Sequence, residues 1–249
     1  MSKMLEGKVA LVTGGSRGIG AAIARALAKD GADVAISFAA SKDRAEAVVE
    51  ELKGFGVRAK AFKADQANTD EVSGLVAAVV SHFGRVDILV NNAGVFVMGQ
   101  VHDRANNVGE LDRMFDVNVH GVATAVRAVA PLMADGGRII SIGSIAGEMS
   151  PWAGMADYSA TKGAVSAYTR GWARDLGPRG ITVNTVQPGP IDTDMSPKDN
   201  ELAETLSAST ALGRYGTADE VAAAVAFLAG PQASYITGAT LNVDGGIAA

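Results

Sequence analysis

The stretch that most constrains this chain is Lys8-Val9-Ala10-Leu11-Val12-Thr13 running into Gly14-Gly15-Ser16-Arg17-Gly18-Ile19-Gly20, with an alanine-rich helical pattern over 21–29 behind it. An apolar run of strand length that feeds straight into glycine reads as a strand buried on both faces. Strand, tight turn and helix form the opening unit of a parallel α/β sheet. Glycine permits the turn and lets another backbone come close, and the helix start offers free N–H groups and a positive dipole end to a phosphate. The spacing is G-x-x-x-G-x-G, not the commoner G-x-G-x-x-G. The same residues would make a tight turn in any α/β protein. In this context they point to a dinucleotide held by Gly14, Ser16, Arg17, Gly18, Ile19 and Gly20.

Residues 33–38 form the second strand. An acidic residue at its end would bind the adenosine ribose of NAD. Here the end is Ser37-Phe38-Ala39-Ala40-Ser41-Lys42, with no carboxylate. Arg17, with Ser41 and Lys42, could instead meet a 2′-phosphate, which a guanidinium binds bidentately and a carboxylate would repel. The expectation is NADP(H) in preference to NAD(H), with Phe38, Ala39 and Ser41 beside it.

The remaining segments alternate helix and strand without a linker. A helix over 43–55 places Ala45, Val48, Val49 and Leu52 on one face. A strand over 58–63 leads to Asp65-Gln66, and Thr69-Asp70-Glu71 caps a helix running to Phe83. A strand over 86–90 ends in Asn91-Asn92-Ala93-Gly94, small and polar residues suited to the crevice at the sheet's C-terminal edge. Residues 96–110 read as a loop with a turn at Asn106-Asn107, and 111–130 as one long helix in which Asn118, at mid-helix, would ordinarily point to solvent. A strand over 138–142 leads to Ser144, whose hydroxyl could reach the crevice. A strand over 181–186 precedes Gln187-Pro188-Gly189-Pro190-Ile191-Asp192-Thr193. A polar stretch over 195–215, with a helical pattern at 201–208, reads as a mobile lid. A helix over 218–229, a strand over 240–243 and a turn at Asp244-Gly245-Gly246 close the chain. The whole is one α/β domain over 1–249, a Rossmann-type doubly wound parallel sheet with helices on both faces and a substrate lid around 190–215.

Composition narrows the chemistry. There is no cysteine, and the three histidines, His82, His102 and His120, lack ligand spacing, so neither thiolate nor metal chemistry is expected. A net charge of -5 without a basic stripe argues against a nucleic-acid polymer as partner. Met1 to Lys8 has no signal-peptide core and no stretch spans a membrane, so the expectation is a cytoplasmic protein.

Tyr158 and Lys162 stand four residues apart in Tyr158-Ser159-Ala160-Thr161-Lys162. On a helix, here reaching about residue 176, they share a face. A lysine cation beside a phenol is expected to lower the tyrosine pKa from its reference of ~10, giving a proton donor and acceptor near neutral pH.

Thr13-Gly14-x3-Gly18-Ile19-Gly20, Asn91-Asn92-Ala93-Gly94, Asn118, Ser144, Tyr158-x3-Lys162 and Pro188-Gly189-x-Ile191-x-Thr193 occur together in this order. The chain thereby resembles the short-chain dehydrogenase/reductase family over essentially its whole length, and within it the 3-oxoacyl-carrier-protein-reductase-like and carbonyl reductase members. The resemblance implies a homotetramer and a set of roles. Tyr158 would be the acid in carbonyl reduction and the base in alcohol oxidation. Lys162 would lower its pKa and hold the nicotinamide ribose. Ser144 would donate to the substrate oxygen. Asn118 would bend its helix and hold a water that links Lys162 to solvent. Asn92, Ala93 and Gly94 would line the adenosine-side ribose and Asp65 the adenine. Ile191 and Thr193, after Pro188 and Gly189, would meet the carboxamide.

Where basic residues would dock an acidic carrier protein, this chain has Met133-Ala134-Asp135-Gly136-Gly137, with Arg179 alone left for the purpose. Met149, Trp152, Met155 and Met195 would make a mostly apolar pocket, with Glu148 or Gln187 for a polar group. The substrate expected is a small or medium ketone or the corresponding alcohol. Two alternatives stand beside it: a regulatory protein of the cyclic-di-GMP-binding type, which the segment from Gly177 to Asp194 also resembles, and the carrier-protein reductase.

Overall fold

The first strand, β1 (Val9–Val12), is buried along its whole length, and its alternate residues enter different cores. Ala10 and Val12 belong to one cluster, Val9 and Leu11 to the other. Helices therefore have to cover both faces. On the first face lie α1 (Gly18–Lys29), α2 (Lys42–Lys53) and α8 (Ala218–Ala229), through side chains such as Leu27, Leu52 and Leu228. On the second lie α3 (Thr69–Phe83) and α5 (Gly121–Val129), with the far end of α6 (Ala156–Leu176). Fully burying one such leucine contributes about 2 kcal/mol.

This computed structural model describes residues 3–199 and 202–249; Met1, Ser2, Asn200 and Glu201, the last of them the start of the expected 201–208 helical pattern, lie outside the described residues. The other strands are β2 (Asp33–Phe38), β3 (Ala59–Lys63), β4 (Ile88–Asn91), β5 (Arg138–Ile142), β6 (Thr182–Pro188) and β7 (Thr240–Val243). They form one sheet in the order β3-β2-β1-β4-β5-β6-β7, and every pairing is parallel. The chain leaves β1 toward β2 on one side and returns as β4 on the other. That switch opens a crevice at the C-terminal ends of β1 and β4, where the glycine turn and Asn91-Asn92-Ala93-Gly94 meet. The doubly wound sheet is the expected fold.

Three local expectations need correction. The cap of α3 is Asn68, whose Oδ1 accepts from Asp70 N (3.0 Å) and Glu71 N (3.2 Å); Thr69 is already helical. The loop ends sooner than residue 110, because Asn107 caps α4 (Val108–Phe115) by accepting from Glu110 N. The expected single helix over 111–130 is α4, a π-helical turn at Asp116–His120 and then α5. The wide turn has a steric reason: a Cβ on Gly121 would lie 2.1 Å from the Gln66 carbonyl oxygen, so the helix passes that strand end only with glycine there. The segment after β6 carries a short α7 (Ala203–Ala208).

Candidate active site

Gly14 and Gly18 have φ of 65° and 52°, the left-handed region that favours glycine. Gly14 N donates to Ser37 Oγ (3.2 Å) and Gly15 N to Ser37 O (3.0 Å), tying the turn to β2. A Cβ on Gly20 would lie 2.4 Å from both Asn92 Nδ2 and Gly14 O. Asn92 itself braces the turn: its Nδ2 donates to Thr13 O (2.9 Å) and Gly14 O (3.1 Å), while Thr13 Oγ1 accepts from Asn92 N and Ala93 N at 3.0 Å. Both bonds of the Asn92 Nδ2 are thus made within the turn. Side chains cap α3, α4 and α8. The start of α1, like those of α2 and α6, has no side-chain cap, and it has no acidic residue in its first turn, so no carboxylate competes there for an anion.

Across the crevice, Lys162 is buried and its Nζ donates to Ile142 O at 3.1 Å. It lies 5.7 Å from the centroid of the Tyr158 ring. Burial pulls the ammonium pKa down to about 8. The Tyr158 phenol is pushed above its ordinary value by burial, and a hydrogen bond with Ser144 offsets only part of this. The expected lowering of the phenol by Lys162 is therefore not what the side chains alone produce: desolvation outweighs a lysine one helical turn away. Ser144 Oγ also accepts from Ala146 N (3.1 Å), which fixes the hydroxyl at the start of a 3₁₀ turn.

Asn118 is 1 % exposed, against the solvent-facing position usual for a mid-helix asparagine. Its Oδ1 accepts from Val95 N and its Nδ2 donates to Val95 O, both at 2.9 Å, and also to Thr161 Oγ1 at 3.2 Å. Thr161 Oγ1 donates in turn to Tyr158 O (2.7 Å). Asn118 lies within the π turn. With it, the side chain locks the loop after β4 to the segment of α6 between Tyr158 and Lys162. Gly94 lies in the same corner: a Cβ there would be 3.3 Å from Asn118 Oδ1 and 3.5 Å from Lys162 Nζ.

The outlying residues divide. Ile191 is buried, and Thr193 approaches Gly18, its Cγ2 being 3.6 Å from where a Cβ would sit. Pro188 ends β6, and Gly189 packs so closely on Asp244 that a Cβ would meet its Cα at 2.7 Å. Asp65 accepts from Arg113 Nη2 (2.9 and 3.0 Å) and from Ala67 N (3.0 Å). Burial opposes its ionisation, but the Ala67 N–H and the Arg113 guanidinium hold the carboxyl below its usual range. Gln66 is buried under Gly121, and Phe38 packs into the first core. Ala39 is exposed and Ser41 precedes α2. Lys42 pairs with Glu46 at 3.6 Å. Arg17 instead meets Asp194 at 3.3 Å, together with Arg44 at 2.7 Å.

Among the pocket candidates, Met155 is buried whereas Glu148, Met149, Trp152 and Met195 are exposed. Gln187 is not available to a substrate: it is fully buried and its Nε2 donates to Ser166 Oγ (3.1 Å). Sequence reasoning missed Phe96, which meets the Tyr158 ring edge to face at 4.8 Å between centroids. Its place just after Asn91-Asn92-Ala93-Gly94, at the sheet edge, was the available signal. An open cleft of about 440 Å³, lined by residues including Met98, His102, Arg104 and Gly154, lies along the same loop without touching Ser144 or Tyr158.

A doubly wound parallel sheet whose glycine turn faces a buried lysine with a half-buried tyrosine and serine beside it defines a dinucleotide-dependent oxidoreductase of the Rossmann class. The chain belongs to the short-chain dehydrogenase/reductase family. A family model described as Enoyl-(Acyl carrier protein) reductase matches residues 14–248. The "Cyclic-di-GMP-binding biofilm dispersal mediator protein" of Escherichia coli (strain K12) is 46% identical over 243 residues, covering 98% of each chain. The 3-oxoacyl-[acyl-carrier-protein] reductase FabG of Staphylococcus epidermidis is 45% identical over 243 residues, covering 96% of this chain and 98% of that one. A short-chain dehydrogenase from Burkholderia cenocepacia J2315, solved in complex with NADP, superposes with a TM-score of 0.96 at 50% identity, covering 99% of this chain and all (100%) of that one.

Proposed function

We propose that the protein is an NADP(H)-dependent oxidoreductase that interconverts a small or medium ketone and its secondary alcohol. The observation that carries this reading is the buried Lys162 ammonium 5.7 Å from the centroid of the Tyr158 ring, with the Ser144 hydroxyl offsetting part of the cost of burying the phenol. Two O–H groups that converge on one point suit a carbonyl oxygen that gains charge as it is reduced.

The residues present fit the cofactor. The uncapped start of α1 and the left-handed Gly14 and Gly18 leave room and N–H donors for a pyrophosphate. Arg17, with Arg44 beside it on Asp194, offers a guanidinium to a 2′-phosphate, and no carboxylate ends β2 to claim the ribose hydroxyls. The bound cofactor supplies or accepts the hydride. The rest falls to the chain. Ser144 orients the substrate oxygen. Tyr158 donates the proton to it, and a phenol held above its ordinary pKa by burial carries that proton at neutral pH. Lys162, with a pKa of about 8, is charged at neutral pH and stabilises the phenolate left behind. Asn118 and Thr161 keep Tyr158 and Lys162 in register with the loop that carries Phe96. The stretch over 190–215 acts as the lid, and the chain works as a homotetramer in the cytoplasm.

The test is oxidation of NADPH and NADH over a panel of ketones, diketones, 3-oxoacyl thioesters and enoyl thioesters, with Tyr158→Phe as control. Ketone turnover with NADPH should fall by roughly 10²–10⁴ in the variant while NADPH affinity stays within about twofold. Tight NADPH binding with no turnover on the whole panel would replace this reading with that of a nucleotide-binding regulator.

A further inference from the structure

Asp194 lies in the lid, immediately after Thr193, and one of its oxygens, Oδ2, accepts from two guanidinium groups at once. Arg17 Nη1 comes from the glycine turn at 3.3 Å, and Arg44 Nη1 from the first turn of α2 at 2.7 Å. The three side chains are 53–60% exposed, so a ligand can reach them. Arg44 hydrogen-bonds Asp194 and, with Arg17, keeps its carboxyl below the usual range, so it is an anion at neutral pH. Beside it, Asp192 pairs with Lys198 at 3.1 Å and Lys42 with Glu46 at 3.6 Å. One carboxylate bridging a glycine-turn arginine and an α2 arginine occupies the arrangement a phosphate dianion would take between two guanidiniums.

We propose that Asp194 is an internal stand-in for the 2′-phosphate of NADP(H): it pairs with Arg17 and Arg44 in the free protein, and the phosphate displaces it, so that Arg44 becomes a second 2′-phosphate ligand and the lid is released from α2. The inference rests on the NADP(H) reading above and deepens it. An incoming 2′-phosphate takes over both guanidiniums and repels the Asp194 carboxylate; an unphosphorylated ribose does neither. The 2′-phosphate thereby sets the lid's freedom as well as the cofactor's affinity. Asp194 costs the protein affinity for NADP(H) and in return ties the lid down until that cofactor arrives.

The test uses the full chain and two fragments of the cofactor, 2′,5′-ADP and 5′-AMP, with affinities from titration calorimetry. Asp194→Asn should tighten 2′,5′-ADP by about fivefold and leave 5′-AMP unchanged, the size expected when one exposed ionic competitor is removed. Arg44→Ala should weaken 2′,5′-ADP by about tenfold and again spare 5′-AMP. In the unsubstituted protein, 2′,5′-ADP but not 5′-AMP should speed amide hydrogen exchange over 192–199. Unchanged or weaker 2′,5′-ADP binding in Asp194→Asn overturns the latch while leaving the NADP(H) reading intact. Failure of the unsubstituted protein to bind NADPH at all overturns both.

Discussion

At the scale of single residues, the site holds a charge that the fold works against. Lys162 is 6 % exposed, and burial lowers its pKa from 10.5 to about 8. The sign follows from linkage. The unfolded chain keeps the lysine protonated up to its higher pKa, so between about pH 8 and 10.5 the unfolded state binds more protons and stability rises with pH through this group. Below pH 8 the full cost of the buried charge is present. In the cofactor-free protein, Lys162→Met should therefore raise stability at pH 7 by roughly 1–3 kcal/mol, allowing for loss of the bond to Ile142 O, or some 2–10 °C in Tm. The gain should shrink toward zero as the pH approaches 10.5, while activity is lost at every pH. Denaturation curves at pH 7 and pH 10 check it; a variant less stable at pH 7 would show that Lys162 is a structural cation. The pattern Tyr158-x3-Lys162 named the right residues, but the direction of the Tyr158 shift depends on desolvation, which a spacing does not report.

At the scale of elements, legibility followed periodicity. Residues 33–38, 138–142, 218–229 and 240–243 are the bounds found for β2, β5, α8 and β7, because an apolar run of strand length or a 3.6-residue repeat sets each of them off from its neighbours. The segment 111–130 looked like one helix for the same reason: a five-residue π turn shifts the repeat by one position, too little to interrupt an apolar stripe. The clue that did exist was Gly121 inside a helix, where glycine is costly unless something comes close. The Gln66 carbonyl comes close. Gly121→Ala would force Cβ to within 2.1 Å of that oxygen, with the Gln66 side chain 2.8 Å away and already buried. Backbone cannot yield as a side-chain end would, so the cost should be about 3 kcal/mol or more, read as a lower denaturation midpoint. Because the π turn carries Asn118, a variant that still folds should also lose turnover. Alanine tolerated here within about 0.5 kcal/mol would mean that the π turn is not held by this contact. The caps were misplaced for a related reason: Asn68 and Thr69 are both good cap residues, and only geometry distinguishes Asn68, outside the helix, from Thr69, inside it.

At the scale of the whole molecule, charge decides between substrates that the site alone does not separate. An acyl chain carried on an acidic protein would need a basic docking face, and the chain carries a net charge of -5. Two of the basic residues beside the α5–β5 connection are already engaged: Arg179 donates to Ala130 O at 2.7 Å, to Met133 O and to Asp135 at 3.0 Å. Arg138 is buried and donates to the Gly136 and Gly137 carbonyls at 2.7 and 3.0 Å. They fix the turn into β5 rather than present a surface, which strengthens the sequence-based argument that Arg179 alone is a thin docking site. An acidic carrier would therefore approach against the field of the whole protein. For one 3-oxoacyl group, kcat/KM on the carrier should be no more than about threefold above that on a short thiol such as N-acetylcysteamine. Raising the salt from about 0.01 M to about 0.15 M, which shortens the screening length from about 30 Å to about 8 Å, should leave the carrier rate unchanged or increase it. A carrier advantage of tenfold or more that collapses with salt would instead reveal electrostatic docking, and would move the substrate from a free ketone to a carrier-bound one without changing the roles of Ser144, Tyr158 and Lys162.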